Sequence, residues 1–266
     1  MPIHSTAIVD ARAEIHPDAD IGPYVVIDGA VRIGARTRVA AHATLTGWTT
    51  VGADNVIHAH AAIGDAPQDL AYEGAESYVR IGERNVIREH TQIHRGTKPG
   101  SATTIGNDNF LMTMAHVGHN CAIGHRVIMA TGATLGGYVT VEDQTFISGN
   151  CVVHQFVRIG RLALLRGLSR TSRDVPPFCI MDGTHTVRAI NRVGMRRAGY
   201  TPAQIRDVYR AFVRLFGRVR NLSKALEAVE AGDCSPDVRY LLDFIRASTR
   251  GVCRGVRSGV SDDDES

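Results

Sequence analysis

An aliphatic residue recurs every six positions along most of this chain. Ile3, Val9, Ile15, Ile21, Ile27, Ile33, Val39, Leu45, Val51, Ile57 and Ile63 share one frame, which resumes at Ile81, Ile87 and Ile93 and again from Ile105 to Leu165. Of the 28 frame positions between 3 and 165, 25 are aliphatic or Met, and the exceptions are Asp69, Ala75 and Pro99. A helix repeats every 3.6 residues and a half-buried strand every 2. A sustained period of six is neither. It fits short flat strands joined by corners. Three six-residue units then make one 18-residue coil of a triangular prism, with coils stacked at strand spacing, about 4.8 Å. Gly often follows the inward aliphatic residue (22, 34, 52, 64, 82, 106, 118, 124, 136, 160) and suits a tight corner. Asn55, Asn85 and Asn109 recur three residues after such a Gly, where left-handed backbone is tolerated and expected. The expected fold is an all-β parallel β-helix.

Two stretches break the frame, 65–80 and 94–104, and both contain Pro and Gly. In a solenoid such insertions leave the prism as loops and build a binding face. After Leu165 the frame ends. Asp174-Val175-Pro176-Pro177-Phe178 cannot be a regular strand or helix. Thr201-Pro202-Ala203-Gln204 is a capping box that opens a helix. A second helix is expected over about 223–231 and a third from Ser235-Pro236. The expected domains are a β-helix over 1–185, a helical domain over 186–250, and a disordered acidic tail over 251–266.

No apolar run is long enough to cross a membrane, and residues 1–5 lack the basic and apolar segments of a secretory signal. A cytoplasmic protein with no membrane span and no nucleic-acid partner is expected. The five cysteines (121, 151, 179, 234, 253) are odd in number without C-x-x-C spacing, so reduced structural thiols are expected. Net charge is +3, but residues 158–220 hold fourteen Arg against three acids. That segment is expected to face an anionic partner.

The 18-residue register places residues above one another without further information. One column holds His119, Gly137 and Gln155, the next Gly118, Gly136 and His154, and the next Asn120, Tyr138 and Phe156. His116 lies one step away. Imidazole is the natural general base at neutral pH. A glycine over it brings a bare backbone N–H to the reacting centre, where it can stabilise an oxyanion. With no Ser or Cys nucleophile in the cluster, direct acyl transfer to a bound hydroxyl or amine follows. No metal and no cofactor are expected. The competing readings are a non-catalytic β-helix and a zinc-dependent one.

Several motifs make the chain closely similar to one family. They are Pro67-Gln68-Asp69-Leu70, Tyr72-Glu73-Gly74, Ile93-His94-Arg95-Gly96-Thr97, Ala115-His116, His119, Val153-His154-Gln155-Phe156, Asp174-Val175-Pro176-Pro177, Asn191 and Ser248-Thr249-Arg250-Gly251. Over residues 3–251 the chain resembles the UDP-N-acetylglucosamine O-acyltransferases, hexapeptide-repeat enzymes whose coils wind left-handed. The usual crossover rule predicts the opposite hand, so the left hand comes from the resemblance alone. The resemblance implies transfer of a 3-hydroxyacyl chain from acyl carrier protein to the sugar 3-hydroxyl, the first step of lipid A biosynthesis, in a homotrimer with sites between neighbouring prisms. It implies His119 as general base and Gly137 N–H as oxyanion donor. Gln68, Asp69, His94, His116, Tyr138, His154 and Gln155 would line the substrate site. Gly167 would limit acyl length, and Asn191, Arg196 and Arg197 would face nucleotide or carrier protein. The sequence departs from the family pattern at Ala71 (Lys expected), Asn120 (an acid expected), Tyr138 (His expected), Ala198 (Arg expected) and Arg166 (a small residue expected). These departures leave open a sister enzyme that acylates another UDP-sugar, such as an amino sugar.

Overall fold

The computed structural model describes residues 3–217, 221–232 and 234–255. Strands of two to four residues pair in parallel with the third strand along, so Ile8–Val9 lies beside Val26–Asp28 and that beside Thr44–Thr46. Three faces result. Among the described residues, the first carries nine strands, from Ile8–Val9 to Arg170–Thr171. The second carries eight, from Glu14–Ile15 to Arg158–Ile159. The third starts at Asp20–Ile21. Nine strands at about 4.8 Å make a prism of about 38 Å.

The six-residue frame points inward as expected. From Ile21 to Leu165 its aliphatic members are at most 4 % exposed. A second inward column, which the aliphatic frame does not reveal, lies two residues earlier in each repeat. Ala19, Val25, Val31, Thr37, Ala43, Asn55, Ala115, Cys121, Ala133 and Cys151 are among its buried members. Most are small, because the corner leaves little room beside the larger frame residue. Left-handed backbone falls one residue before each expected asparagine, at Asp54 (φ 59°), Arg84 (φ 56°) and Asp108 (φ 60°). Asn55, Asn85 and Asn109 instead turn into the prism. The Asn85 amide donates to Asn55 Oδ1, and Asn109 donates to Asn85 Oδ1, both at 2.9 Å. A primary amide carries both donors and an acceptor, so it can pass hydrogen bonds from coil to coil where the buried corner would otherwise leave polar groups unpaired. The cysteines are free, and burial pushes the Cys121 thiol up to about 12.

Both interruptions of the frame leave the prism at one edge, between the first and second faces. Ile93 sits beside Ile63, and Val117 beside Ile93. These two coils are 30 and 24 residues long, as the asparagine spacings also record. The core therefore continues undisturbed while the extra residues project outward on the same edge as His119.

Beyond Leu165 the prism runs further than the aliphatic frame. Arg170–Thr171 adds a strand whose inward residue is polar, and Thr171 Oγ1 donates to Arg173 O at 2.7 Å. Cys179–Met181 extends the third face, and Thr186–Ile190 returns antiparallel beside it. The sheet thus runs past residue 185, where a helical domain was expected to begin. Arg254–Gly255, within the stretch expected to be disordered, pairs with Thr186–Ile190. The rest of that expected tail, 256–266, lies outside the described residues. Among the described residues four helices follow the hairpin: α1 (Arg192–Arg197), α2 (Pro202–Phe216), α3 (Leu222–Glu230) and α4 (Pro236–Arg246). α1 is too short to show a period and was not expected. α2 opens with the expected capping box at Thr201 and Gln204. α4 docks on the prism through Tyr240, whose hydroxyl donates to Glu142, while the Arg161 guanidinium lies over the Tyr240 ring at 4.8 Å. Burial pushes the Glu142 carboxyl above its ordinary range, against the backbone N–H of Arg161 that favours its charge. No helix among the described residues is long and apolar enough to cross a membrane.

Candidate active site

The corner between strands His116–Val117 and Ala122–Ile123 presents His119 beneath the corner of the next coil. Tyr138 N–H donates to His119 O at 2.8 Å, and Phe156 N–H to Gly137 O at 2.9 Å, so the 18-residue register is realised here. Gly137 lies directly against the imidazole. A Cβ on Gly137 would stand 2.5 Å from His119 Cε1 and closer still to Nε2. Only glycine leaves the ring its place.

The hydrogen bonds around His119 define its tautomer. Nδ1 has two neighbours, Thr97 Oγ1 at 2.8 Å and Asn120 Oδ1 at 3.0 Å. Asn120 Oδ1 is an acceptor, since it also receives Thr97 N–H at 3.0 Å. The single hydroxyl proton of Thr97 goes to Asp69 Oδ2 at 2.9 Å, because a carboxylate can only accept. Thr97 Oγ1 therefore offers a lone pair to the ring. Both neighbours being acceptors, Nδ1 carries the hydrogen. Nε2 keeps its lone pair and faces Gly137, with Asp69 Oδ2 at 3.8 Å, too far for a hydrogen bond but close enough for charge.

Asp69 reaches this position from the first insertion, and Thr97 from the second. Asp69 Oδ1 accepts Ala71 N–H at 3.0 Å. That bond, with the Thr97 hydroxyl, holds the Asp69 carboxyl below its ordinary range, and the nearby His119 acts in the same direction against burial. A third contact pins the first insertion down. Arg95 donates to Gly64 O at 2.7 Å and to Tyr72 Oη at 2.9 Å, and its guanidinium lies over the Tyr72 ring at 5.4 Å.

A pair of imidazoles completes the first-face side of the edge. His94 and His116 lie 5.2 Å apart, centroid to centroid. Burial and the neighbouring His94 and His119 lower the His116 pKa, so it is neutral at physiological pH. His94 Nδ1 lies 2.8 Å from Ala66 O, which only accepts, so Nδ1 holds the hydrogen. His94 Nε2 is then a buried lone pair without a partner among the described residues. Tyr138 meets His119 edge-on at 5.3 Å and stacks on Phe156 at 4.9 Å. His154 receives Arg250 at 3.4 Å, which also donates to Ser172 O.

The structure thus gathers Gln68, Asp69, His94, His116, His119, Gly137, Tyr138, His154 and Gln155 along one edge. Gln68 and Gln155 are exposed there. The other expected residues lie elsewhere. Gly167 is exposed on the edge between the third and first faces. The Asn191 side chain is engaged inside the protein, where it caps α1 by accepting Gly194 N–H at 2.9 Å and donates to Leu162 O at 2.9 Å. Arg196 and Arg197 are exposed in the last turn of α1. Thr97, Arg95 and Arg250 carry contacts at the edge; the family motifs contain all three, but no residue-type or register signal gave them a role. Among the described residues, no group of three or more His, Cys, Asp or Glu side chains is placed to hold a metal ion.

Known proteins share the sequence and the fold of this chain. A curated protein of Gloeothece citriformis (strain PCC 7424), named acyl-[acyl-carrier-protein]--UDP-N-acetylglucosamine O-acyltransferase, is 45% identical over 206 residues, which are 77% of this chain and 75% of that one. The chain belongs to the UDP-N-acetylglucosamine O-acyltransferase family. Residues 174–253 match the second domain of Udp N-acetylglucosamine O-acyltransferase, and residues 102–137 match the bacterial transferase hexapeptide of six repeats. The solved UDP-N-acetylglucosamine acyltransferase of Francisella novicida superposes with a TM-score of 0.90 at 34% identity, covering 95% of this chain and 94% of that one. The Arabidopsis UDP-N-acetylglucosamine acyltransferase superposes at 0.86 with 32% identity, over 95% and 100% of the two chains. The prism is a left-handed β-helix with a C-terminal helical region, as the family resemblance implies. The family's O-acyl transfer fits a site whose edge holds an imidazole against a glycine backbone.

Proposed function

We propose that the protein transfers a 3-hydroxyacyl chain from acyl carrier protein to the 3-hydroxyl of UDP-N-acetylglucosamine, the opening step of lipid A biosynthesis, with His119 as general base. The observation that carries this reading is the free Nε2 lone pair of His119 lying against Gly137. Nε2 takes the proton of the sugar 3-hydroxyl as its oxygen attacks the thioester carbonyl. The tetrahedral oxyanion is met by Gly137 N–H, which has no partner among the described residues. The intermediate collapses, the C–S bond breaks, and the imidazolium returns the proton to the leaving thiolate. A positioned base of this kind contributes roughly 10²–10⁴ in rate. His94 Nε2, buried and unpaired, would accept a hydrogen bond from the sugar nucleotide.

Gly167 stands on a different edge from His119. Acyl-length selection by Gly167 therefore calls for a second copy whose edge meets this one, which favours the homotrimer with sites between prisms. The basic stretch 158–220 would receive the acidic carrier protein, in the cytoplasm where both substrates would be met.

The test is product mass spectrometry with purified protein, mixed acyl carrier proteins, and both UDP-N-acetylglucosamine and a UDP-linked amino sugar. O-Acylated UDP-N-acetylglucosamine is expected from the wild type and none from His119→Ala. Activity retained in His119→Ala would remove His119 as the base, and acylation of the amino sugar alone would move the acceptor to the sister class.

A further inference from the structure

The residue after His119 is an amide, so the imidazolium that forms in transfer has no adjacent carboxylate in sequence. The nearest carboxylate belongs to Asp69, fifty residues earlier; its Oδ2 stands 3.8 Å from Nε2, beyond hydrogen-bond range, and its hydrogen-bonded link to the ring runs by way of Thr97. We infer that Thr97 is a positioning residue that couples Asp69 to His119 and so supplies the charged partner that Asn120 cannot. This inference rests on His119 being the base.

Three contacts made by one side chain and its backbone carry it. Thr97 Oγ1 donates to Asp69 Oδ2 at 2.9 Å and receives His119 Nδ1–H at 2.8 Å. Thr97 N–H donates to Asn120 Oδ1 at 3.0 Å, which orients that amide with its oxygen toward the same Nδ1. Thr97 is 4 % exposed, so water does not replace its hydroxyl. The single hydroxyl proton is what makes the arrangement directional. With it committed to the carboxylate, the oxygen presents only lone pairs to the ring, and the alternative tautomer, with hydrogen on Nε2, would leave Nδ1 facing two acceptors. No proton leaves Thr97 during the reaction. The hydroxyl polarises between an anion and a ring that becomes cationic, and both bonds strengthen as Nε2 takes the substrate proton. Thr97 also ties the two insertions together, since Asp69 lies on the first and Thr97 on the second.

Valine has nearly the shape of threonine, so Thr97→Val separates the hydroxyl's role from packing. It is expected to lower kcat by roughly 30-fold, the loss typical of a hydrogen bond to a charged group, with KM within about twofold. Thr97→Ser, which keeps the hydroxyl, is expected to recover kcat. The losses from Thr97→Val and Asp69→Asn are expected to fall well short of additive in the double variant, because both break one chain. Thermal unfolding of each variant checks that the fold persists. Equal losses in Thr97→Val and Thr97→Ser, or fully additive losses with Asp69→Asn, would overturn the coupling. So would a fully active Thr97→Val protein in an assay where His119→Ala is dead, and that outcome leaves the base in place. Activity in His119→Ala instead removes the base itself, so the two failures are distinguishable.

Discussion

Substituting Gly137 by alanine separates the chemistry of this edge from its architecture. The backbone at Gly137 does not lie in the left-handed region, so alanine brings no torsional penalty of its own. What it brings is a methyl group 2.5 Å from His119 Cε1 and nearer to Nε2. Ordinary contacts to carbon begin at about 3.5 Å, so the ring must retreat by about 1 Å. It cannot do so while Nδ1 keeps Thr97 and Asn120 at 2.8 and 3.0 Å. A displacement of about 1 Å at a reacting group costs roughly 100-fold in rate. The expected result is a drop of that order in kcat/KM for acyl transfer, measured as initial rates of acylated sugar nucleotide by mass spectrometry. The melting temperature should change little, because the three atoms nearest the methyl all belong to the end of one side chain, the His119 ring. Gly136→Ala is the counterpart. Its Cβ would meet Gln155 N at 2.7 Å, part of the stacked backbone, so that variant should lose stability. A Gly137→Ala protein with kcat/KM within threefold of wild type would refute the placement of Nε2 at the reacting centre.

Two further outcomes follow from groups inside the fold. Asn85→Ala removes the acceptor of Asn109 N–H and of its side-chain amide, both buried. At about 1–3 kcal/mol per orphaned donor, the variant should lose about 3 kcal/mol or more in urea unfolding, and a loss below 1 kcal/mol would deny the ladder its structural role. Glu142 has a carboxyl raised above its ordinary range by burial. A raised carboxyl favours the folded state fully at low pH and loses that contribution as pH climbs through the folded pKa. Glu142→Gln, which can still accept from Tyr240, should therefore melt higher than wild type at pH 7.5, with the difference vanishing below about pH 4; a difference independent of pH would refute the raised carboxyl.

How much of this was legible in the sequence depends on what repeats. Frame residues such as Val117 and Leu135 report the prism because each coil demands the same aliphatic plug. The column of His119, Gly137 and Gln155 was legible for the same reason, as nothing interrupts the chain between them. The second inward column was not, because its members, from Ala115 to Asn109 to Cys121, share small size and burial but no chemistry. The asparagines show the limit well. Their spacing was visible, yet the preference of Asn for left-handed corners and its capacity to pair in a buried ladder predict different conformations, and the buried carbonyls decided for the ladder. Thr97 stood in a family motif, but its part in the site was illegible for a further reason. The insertions lengthen two coils, so stacking by 18 fails where Asp69, Thr97 and His119 converge.

Those same insertions explain how the site accommodates Asn120. A regular solenoid offers a base only the neighbours above, below and beside it in sequence, so losing the acid after His119 would leave no charge within reach. The 12 residues added to one coil and six to the next, read from spacings of 30 and 24 against 18, release that limit. They carry a carboxylate from two coils away and a hydroxyl from the adjacent coil onto the same edge, and Arg95 clamps the first loop against the prism so that the carboxylate stays. The prism supplies rigidity and register at Gly137, while the loops supply the charge. Substitution at Asn120 therefore changes which atom touches Nδ1 without removing the anion from the site.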